Sequence, residues 1–265
     1  MISPADLLNP ARQDLLYKLN SLVNDAYFVH GHPREDGGTG PLYTEMRISA
    51  HDQLVHELGP HGLLAVCFDD NLPEMHMPRK SRSETLAGAP YVPGKYGNIV
   101  ATASLKPFKG KTIDVFRRAQ QQLAKNKPSN GDSSDMPPLT KAEFLNAAGG
   151  DFSMEIDQHN KTWNWEVAAC ASVNDAKYRG QGLMIRCLNA LVEELIARRN
   201  TIREAHNAGG ELQVKLWSSS LDGSGNTEYW IRRGFVEEGP PDVAPKGVWT
   251  STREFRIQTL SKIVG

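Results

Sequence analysis

Several segments of the chain repeat hydrophobic residues at helical spacing. Near the amino terminus, apolar positions three and four apart follow Asn9 and Pro10, which suit a helix cap and a first helical turn. Shorter helices are predicted around residues 49–58, 113–123 and 226–233. The longest stripe begins after Gly182 and comprises Leu183, Met184, Cys187, Leu188, Leu191, Val192, Leu195 and Ile196. It predicts an amphipathic helix that packs one whole face against a core.

Compact or alternating apolar runs predict the strands. They lie at about residues 63–68, 98–105, 163–173, 212–217, 235–238 and 251–259. In the third run, odd positions from Trp163 to Val173 are predicted to share one face, and Glu166, Cys170 and Ser172 the other. The strand–helix–strand unit that follows predicts a parallel crossover. The expected fold class is α+β, with a mixed, mostly antiparallel sheet flanked by helices.

The composition is typical of one globular domain, expected to span residues 1–265 with long insertions at about 70–97 and 107–150. Apolar residues make up 39% of the chain and the formal net charge is −1, so no overall field favours a nucleic acid or an anionic membrane. Three distant cysteines do not favour a disulfide framework, and we expect a cytoplasmic protein. His30 and His32 lack a convincing third ligand, so no metal site is expected.

Arg179-Gly180-Gln181-Gly182 connects a predicted strand to the strongly amphipathic helix. Glycines let the backbone approach a ligand, and the helix start supplies unpaired N–H groups and the positive end of its dipole. This combination is suited to a pyrophosphate, although Gly-x-Gly also occurs in plain strand-to-helix turns. A dinucleotide fingerprint would need a glycine where Ile185 stands, and a P-loop ending at residues 110–112 would need one where Leu105 stands.

These motifs resemble those of the GNAT superfamily of N-acetyltransferases. Its signature is Arg or Gln, two residues, Gly, one residue, then Gly or Ala; Arg179 and Gly182 match it, and Met184 departs from it at the last place. A second feature, an aromatic residue shortly before Gly-Phe, is matched by Trp230 and residues 234–235. The order of predicted elements also matches. The resemblance implies that the two parallel strands splay to admit the cofactor.

The resemblance further implies that acetyl-CoA is the co-substrate. Backbone amides of the glycine turn would hold its pyrophosphate, and the strand before the turn would bind its pantetheine arm. The residues expected to contact acetyl-CoA are Ser172, Val173, Arg179, Gly180, Gln181, Gly182, Leu183, Met184, Asn226 and Trp230.

Acetylation of an amine needs a neutral nitrogen, and Glu166 is the first candidate for the base that removes its proton. The alternative is an ion-paired strand glutamate without a catalytic role. Many relatives use a tyrosine as the acid where this chain has Trp230, so Tyr229 is a weak candidate, with packing as the alternative.

Long loops with aromatic residues favour a small molecule as the amine acceptor. Direct transfer in a ternary complex is the favoured mechanism, because no cysteine is well placed as an acyl carrier. The alternatives are acetylation of a protein lysine or N-terminus, and a non-catalytic CoA-binding sensor or interaction module.

Overall fold

The computed structural model describes residues 1–28, 48, 51–71, 97–126, 156–157, 161–205, 212–223, 225–246, 248–251 and 253–265. The helices are α1 (Pro4–Leu7), α2 (Gln13–Phe28), α3 (Gln53–Leu58), α4 (Thr112–Asn126), α5 (Leu183–Ala205) and α6 (Asn226–Ile231). Short 3-10 turns span Pro10–Arg12 and Val248–Thr250. The strands are β1 (Leu63–Phe68), β2 (Ile99–Pro107), β3 (Ile156–Asp157), β4 (Thr162–Val167), β5 (Ala171–Ser172), β6 (Gln213–Leu221), β7 (Val236–Glu237), β8 (Asp242–Ala244) and β9 (Phe255–Val264).

The described strands form one mixed sheet in the order β1-β2-β4-β6-β9-β7. Strand β3 pairs with β4, β5 with β2, and β8 with β9. Strands β4 and β6 are parallel, and the chain connects β5 to β6 through α5. The other pairs among the described strands are antiparallel. The predicted fold class is therefore confirmed.

The core lies between the sheet and the apolar faces that the sequence predicts for the helices. Leu191 and Leu195 of α5 are fully buried, as is Leu19 of α2. Trp163 and Trp165 on β4 form its largest buried rings, with their centroids 5.1 Å apart in an edge-to-face arrangement. A second, smaller cluster joins α4 to the last strands and comprises Ile113, Phe116, Ala119, Ala244, Val248 and Ile257.

The predicted strand over residues 163–173 is interrupted by a bulge, and this corrects the predicted faces. Val167 pairs with Leu105, and Ala171 pairs with Thr102. The chain advances four residues from Val167 to Ala171, whereas β2 advances three between their partners, so one residue is extra. Cross-strand partners project to the same face, and residues three apart on β2 project to opposite faces. Val167 and Ala171 therefore lie on opposite faces. The prediction that Glu166 and Ser172 share a face is wrong, because an extra residue inserted between them reverses the alternation.

The parallel pair opens immediately after Glu166. Its register runs from Thr162 opposite Gln213 to Glu166 opposite Trp217 and ends there. Beyond this point β6 continues to Leu221 against β9, whereas the other strand continues through the bulge against β2. The two strands thus separate while each keeps its outer neighbour, and a gap opens between residues 168–173 and 218–221.

The ends of several elements differ from their predicted positions. Asn9 does cap a turn, because its Oδ1 accepts a hydrogen bond from the N–H of Ala11 at 3.0 Å, but the turn is a 3-10 turn before α2. The last strand begins at Phe255, not at residue 251, and runs to residue 264. Its middle residues are buried on both faces, so alternation does not mark its ends.

The described helices include none that is long and apolar enough to cross a membrane. The start of the helix predicted around residues 49–58 and large parts of the predicted insertions at about 70–97 and 107–150 lie outside the described residues.

Candidate functional site

Two glycines in the turn before α5 adopt left-handed backbone conformations. Their φ angles are 76° at Gly180 and 66° at Gly182. A Cβ at either position would cost roughly 1–2 kcal/mol in backbone energy. A Cβ built at either position meets no described atom within 4 Å, so the space above both glycines is open. The sequence motif therefore corresponds to an exposed turn that a ligand can approach closely.

Helix α5 starts directly after this turn and presents unpaired amides. The N–H of Arg186 donates to the carbonyl of Gly182 at 3.0 Å, which is the first bond of the helix. The N–H groups of Leu183, Met184 and Ile185 precede that bond and, among the described residues, none of them makes a hydrogen bond. Such amides at the positive end of a helix dipole suit an anionic ligand.

The polar side chains of the turn bond to the turn itself. Arg179 donates from Nη2 to Oδ1 of Asn174 at 2.9 Å, and Gln181 donates from Nε2 to the carbonyl of Lys177 at 2.5 Å. Leu183 is buried and Met184 packs partly against the core. The backbone, with its two glycines, is consequently the main polar surface that faces the open space.

The strand that leads to the turn borders the gap. The N–H of Val173 donates to the carbonyl of Val100 at 3.0 Å, towards β2. Since backbone groups alternate in direction along a strand, Ser172 directs its N–H and carbonyl away from β2 and towards the gap. The Ser172 side chain is exposed and that of Val173 is buried. An extended ligand can add to this edge by backbone hydrogen bonds.

Glu166 lies where β4 and β6 part. Its Oε2 is 3.4 Å from Nζ of Lys106, its cross-strand neighbour, and both side chains are about 23% exposed. Trp217, opposite Glu166 on β6, stacks on Phe108 with ring centroids 4.3 Å apart. The Trp217 indole also donates to Oδ1 of Asn164 at 2.9 Å. The carboxylate therefore stands beside a rigid, half-buried aromatic wall and retains access to solvent.

Cys170 lies within the bulge, near Tyr229 of α6. Burial raises the pKa of the Cys170 thiol to about 12, so it is protonated at neutral pH. Burial also raises the pKa of Tyr229; the Arg233 guanidinium opposes this rise and the nearby Cys170 adds to it. The guanidinium carbon of Arg233 is 3.4 Å from the centre of the Tyr229 ring. Tyr229 therefore keeps its proton over the physiological range.

The remaining candidates lie around α6. Trp230 is 8% exposed, and its ring centroid is 5.1 Å from that of Phe235, which places it in the core. A role for Trp230 in contacting acetyl-CoA stays a prediction. Asn226 is the exposed first residue of α6, and the Ser220 hydroxyl is 2.8 Å from that of Thr227.

The structure thus places Glu166 and Ser172 along the same border of the gap, on opposite faces of the sheet, and the glycine turn directly after that border. Sequence reasoning missed Lys106, Trp217 and Asp69, which contact these elements. The contacts of these three residues depend on strand register and on where strands end, which periodicity and motif spacing in the sequence do not report. His30 and His32, and the loop aromatic residues Tyr43, Tyr91 and Tyr96, lie outside the described residues.

Comparisons with known proteins give structural similarity at low score. No family model matches the chain, and no curated protein matches it. Among solved structures, a CoA-dependent acyl-homoserine lactone synthase, BjaI, solved with SAM and isopentyl-CoA, aligns at a TM-score of 0.37 and 12% identity. The alignment covers 100% of this chain and 82% of that one. A similarity at this level does not define a family, and the resemblance to GNAT enzymes stays a prediction.

Proposed function

We propose that this protein is a GNAT-type acyltransferase that moves an acetyl group from acetyl-CoA to an amine of a small molecule. One observation carries the proposal: an open glycine turn at the start of a long helix stands at the end of a gap between two diverging strands. The glycine turn suits the pyrophosphate of CoA, and the gap suits its extended pantetheine arm. The two features are adjacent along the chain, as the two groups are adjacent along the ligand.

The chemistry of the turn fits acetyl-CoA as the co-substrate. Gly180 and Gly182 leave open the volume that a Cβ would fill, and the amides of residues 183–185 are available as donors. Ser172 presents a backbone donor and acceptor to the gap. Acetyl-CoA supplies an activated acyl group as a thioester. The protein's contribution is to hold this group beside Glu166 and to admit the amine.

In the proposed reaction the neutral amine nitrogen attacks the thioester carbonyl carbon. The C–N bond forms, the C–S bond breaks, and CoA leaves as a thiolate. Glu166, directly or through a water, accepts the proton from the nitrogen. Tyr229, whose proton is retained at neutral pH, is the candidate donor to the leaving thiolate. Cys170 stays protonated, which favours direct transfer over a covalent acyl-enzyme.

The test of catalysis is release of the CoA thiol from acetyl-CoA in the presence of a panel of small amines. Glu166→Gln removes the base and keeps the side-chain shape, so we expect turnover to fall by about 100-fold or more. Glu237→Gln, at an exposed strand glutamate, is the matched control. Binding of acetyl-CoA without amine-dependent thiol release, unchanged by Glu166→Gln, would favour a CoA sensor.

A further inference from the structure

The turn that precedes α5 is attached to the end of another strand through Asp69. Asp69 directly follows β1, and its Oδ2 accepts hydrogen bonds from Nζ of Lys177 at 2.5 Å and from the hydroxyl of Tyr178 at 2.7 Å. Both partners belong to the turn that leads into Gly180. This contact joins residues that are more than 100 positions apart in the chain.

Asp69 is itself held firmly. Its N–H donates to the carbonyl of Asn98 at 2.8 Å, and its Oδ1 accepts from the N–H of Asn71 at 2.9 Å. Its side chain is 10% exposed and that of Tyr178 is 8% exposed. The hydrogen bonds from Lys177 and Tyr178 lower the pKa of Asp69 below its usual value, so it is ionised at every pH at which the protein is assayed.

The other side-chain hydrogen bonds of this turn are local. Asp175 accepts from the N–H of Lys177, Arg179 donates to Asn174, and Gln181 donates to the Lys177 carbonyl. Within the described residues, Asp69 is therefore the group whose hydrogen bonds fix these side chains to the sheet. Loss of Asp69 would remove these two hydrogen bonds to the sheet and leave the local bonds of the turn in place.

We propose that Asp69 is a positioning residue, which holds the glycine turn at the distance from the gap that simultaneous binding of the pyrophosphate and the pantetheine arm requires. The inference rests on the proposed function, because it assigns a role within the same CoA site. Asp69 does not touch the ligand in this account. Its charge is matched by Lys177, so it presents little net negative charge to an approaching pyrophosphate.

The test compares Asp69→Ala with Asp114→Ala, which removes an exposed carboxylate of α4 that pairs with Arg117. Calorimetry measures the Kd for acetyl-CoA, and hydrogen exchange of the unliganded protein measures the protection of residues 176–186. We expect Asp69→Ala, which removes both hydrogen bonds to the turn, to weaken binding about tenfold, because the ligand must then order the turn. Exchange should rise in the turn and stay unchanged in β6 and β9. Tyr178→Phe, which removes one of the two bonds, should give a smaller change in the same direction.

Unchanged affinity in Asp69→Ala, or loss of protection throughout the sheet, would overturn the inference and reduce Asp69 to a general structural contact. A wild-type protein that does not bind acetyl-CoA would instead refute the proposed function and this inference with it. The exchange measurement separates the two failures, because it reports whether Asp69 fixes the turn without any ligand.

Discussion

A methyl group added at Gly182 separates the folding role of the glycine turn from its proposed binding role. The left-handed backbone at this position, with φ of 66°, costs roughly 1–2 kcal/mol for a residue that has a Cβ. The added Cβ meets no described atom, so no steric cost adds to this value. We therefore expect Gly182→Ala to fold, with its free energy of unfolding lowered by about 1–2 kcal/mol.

The effect on ligand binding should be larger than the effect on folding. The methyl group would occupy the open space beside the free amides of residues 183–185, where the pyrophosphate is expected. Loss of one hydrogen bond to a charged group costs about 1.5–3 kcal/mol, which is about a 10- to 150-fold increase in Kd. Calorimetric titration with acetyl-CoA measures this change directly.

Gly234→Ala provides the matched control. Gly234 also has a left-handed backbone, with φ of 81°, and an added Cβ would lie 3.6 Å from a flexible lysine side chain. Both variants should lose similar stability in denaturant unfolding, and only Gly182→Ala should lose affinity. Equal affinities for acetyl-CoA in the two variants would refute the assignment of the turn as the pyrophosphate site.

Three further predictions test the site and the core. Tyr229→Phe should lower the maximal rate of thiol release if this hydroxyl protonates the leaving group, and should leave the Kd for acetyl-CoA unchanged; an unchanged rate would assign Tyr229 to packing. Cys170 should react slowly with iodoacetamide at pH 8, since its pKa of about 12 keeps the thiolate scarce, and Cys170→Ala should retain turnover; rapid labelling or lost turnover would contradict this. Leu191→Ala, at a fully buried position of α5, should lower the free energy of unfolding by about 2–5 kcal/mol in a urea titration, and a loss below 1 kcal/mol would contradict the packing described.

Much of the fold is predictable from the sequence because periodicity reports directly on burial. The stripe on α5 faces the core, and the first three residues of β1 are buried as the pattern predicts, whereas Phe68 at the end of β1 is exposed. The end of the last strand is not predictable, since β9 is buried on both faces in its middle. The bulge after Val167 is hidden for a related reason: small apolar residues on both sides of it keep the apparent alternation intact.

The candidate site also contains residues that the sequence predicts and residues that it does not predict. The glycine turn is visible in the sequence because its chemistry lies in consecutive residues. Lys106 beside Glu166 and Asp69 beside the turn are long-range contacts whose partners are set by register and by strand ends. Neither periodicity nor motif spacing in a single sequence identifies Lys106 or Asp69.

Hydrogen exchange with and without saturating acetyl-CoA tests whether the gap and the turn bind acetyl-CoA together, because it locates the ligand along the chain. Exchange should become slower at residues 170–173 and 180–186 and change little in α4 and β8. Protection confined to other segments, or none at concentrations well above micromolar, would contradict this expectation.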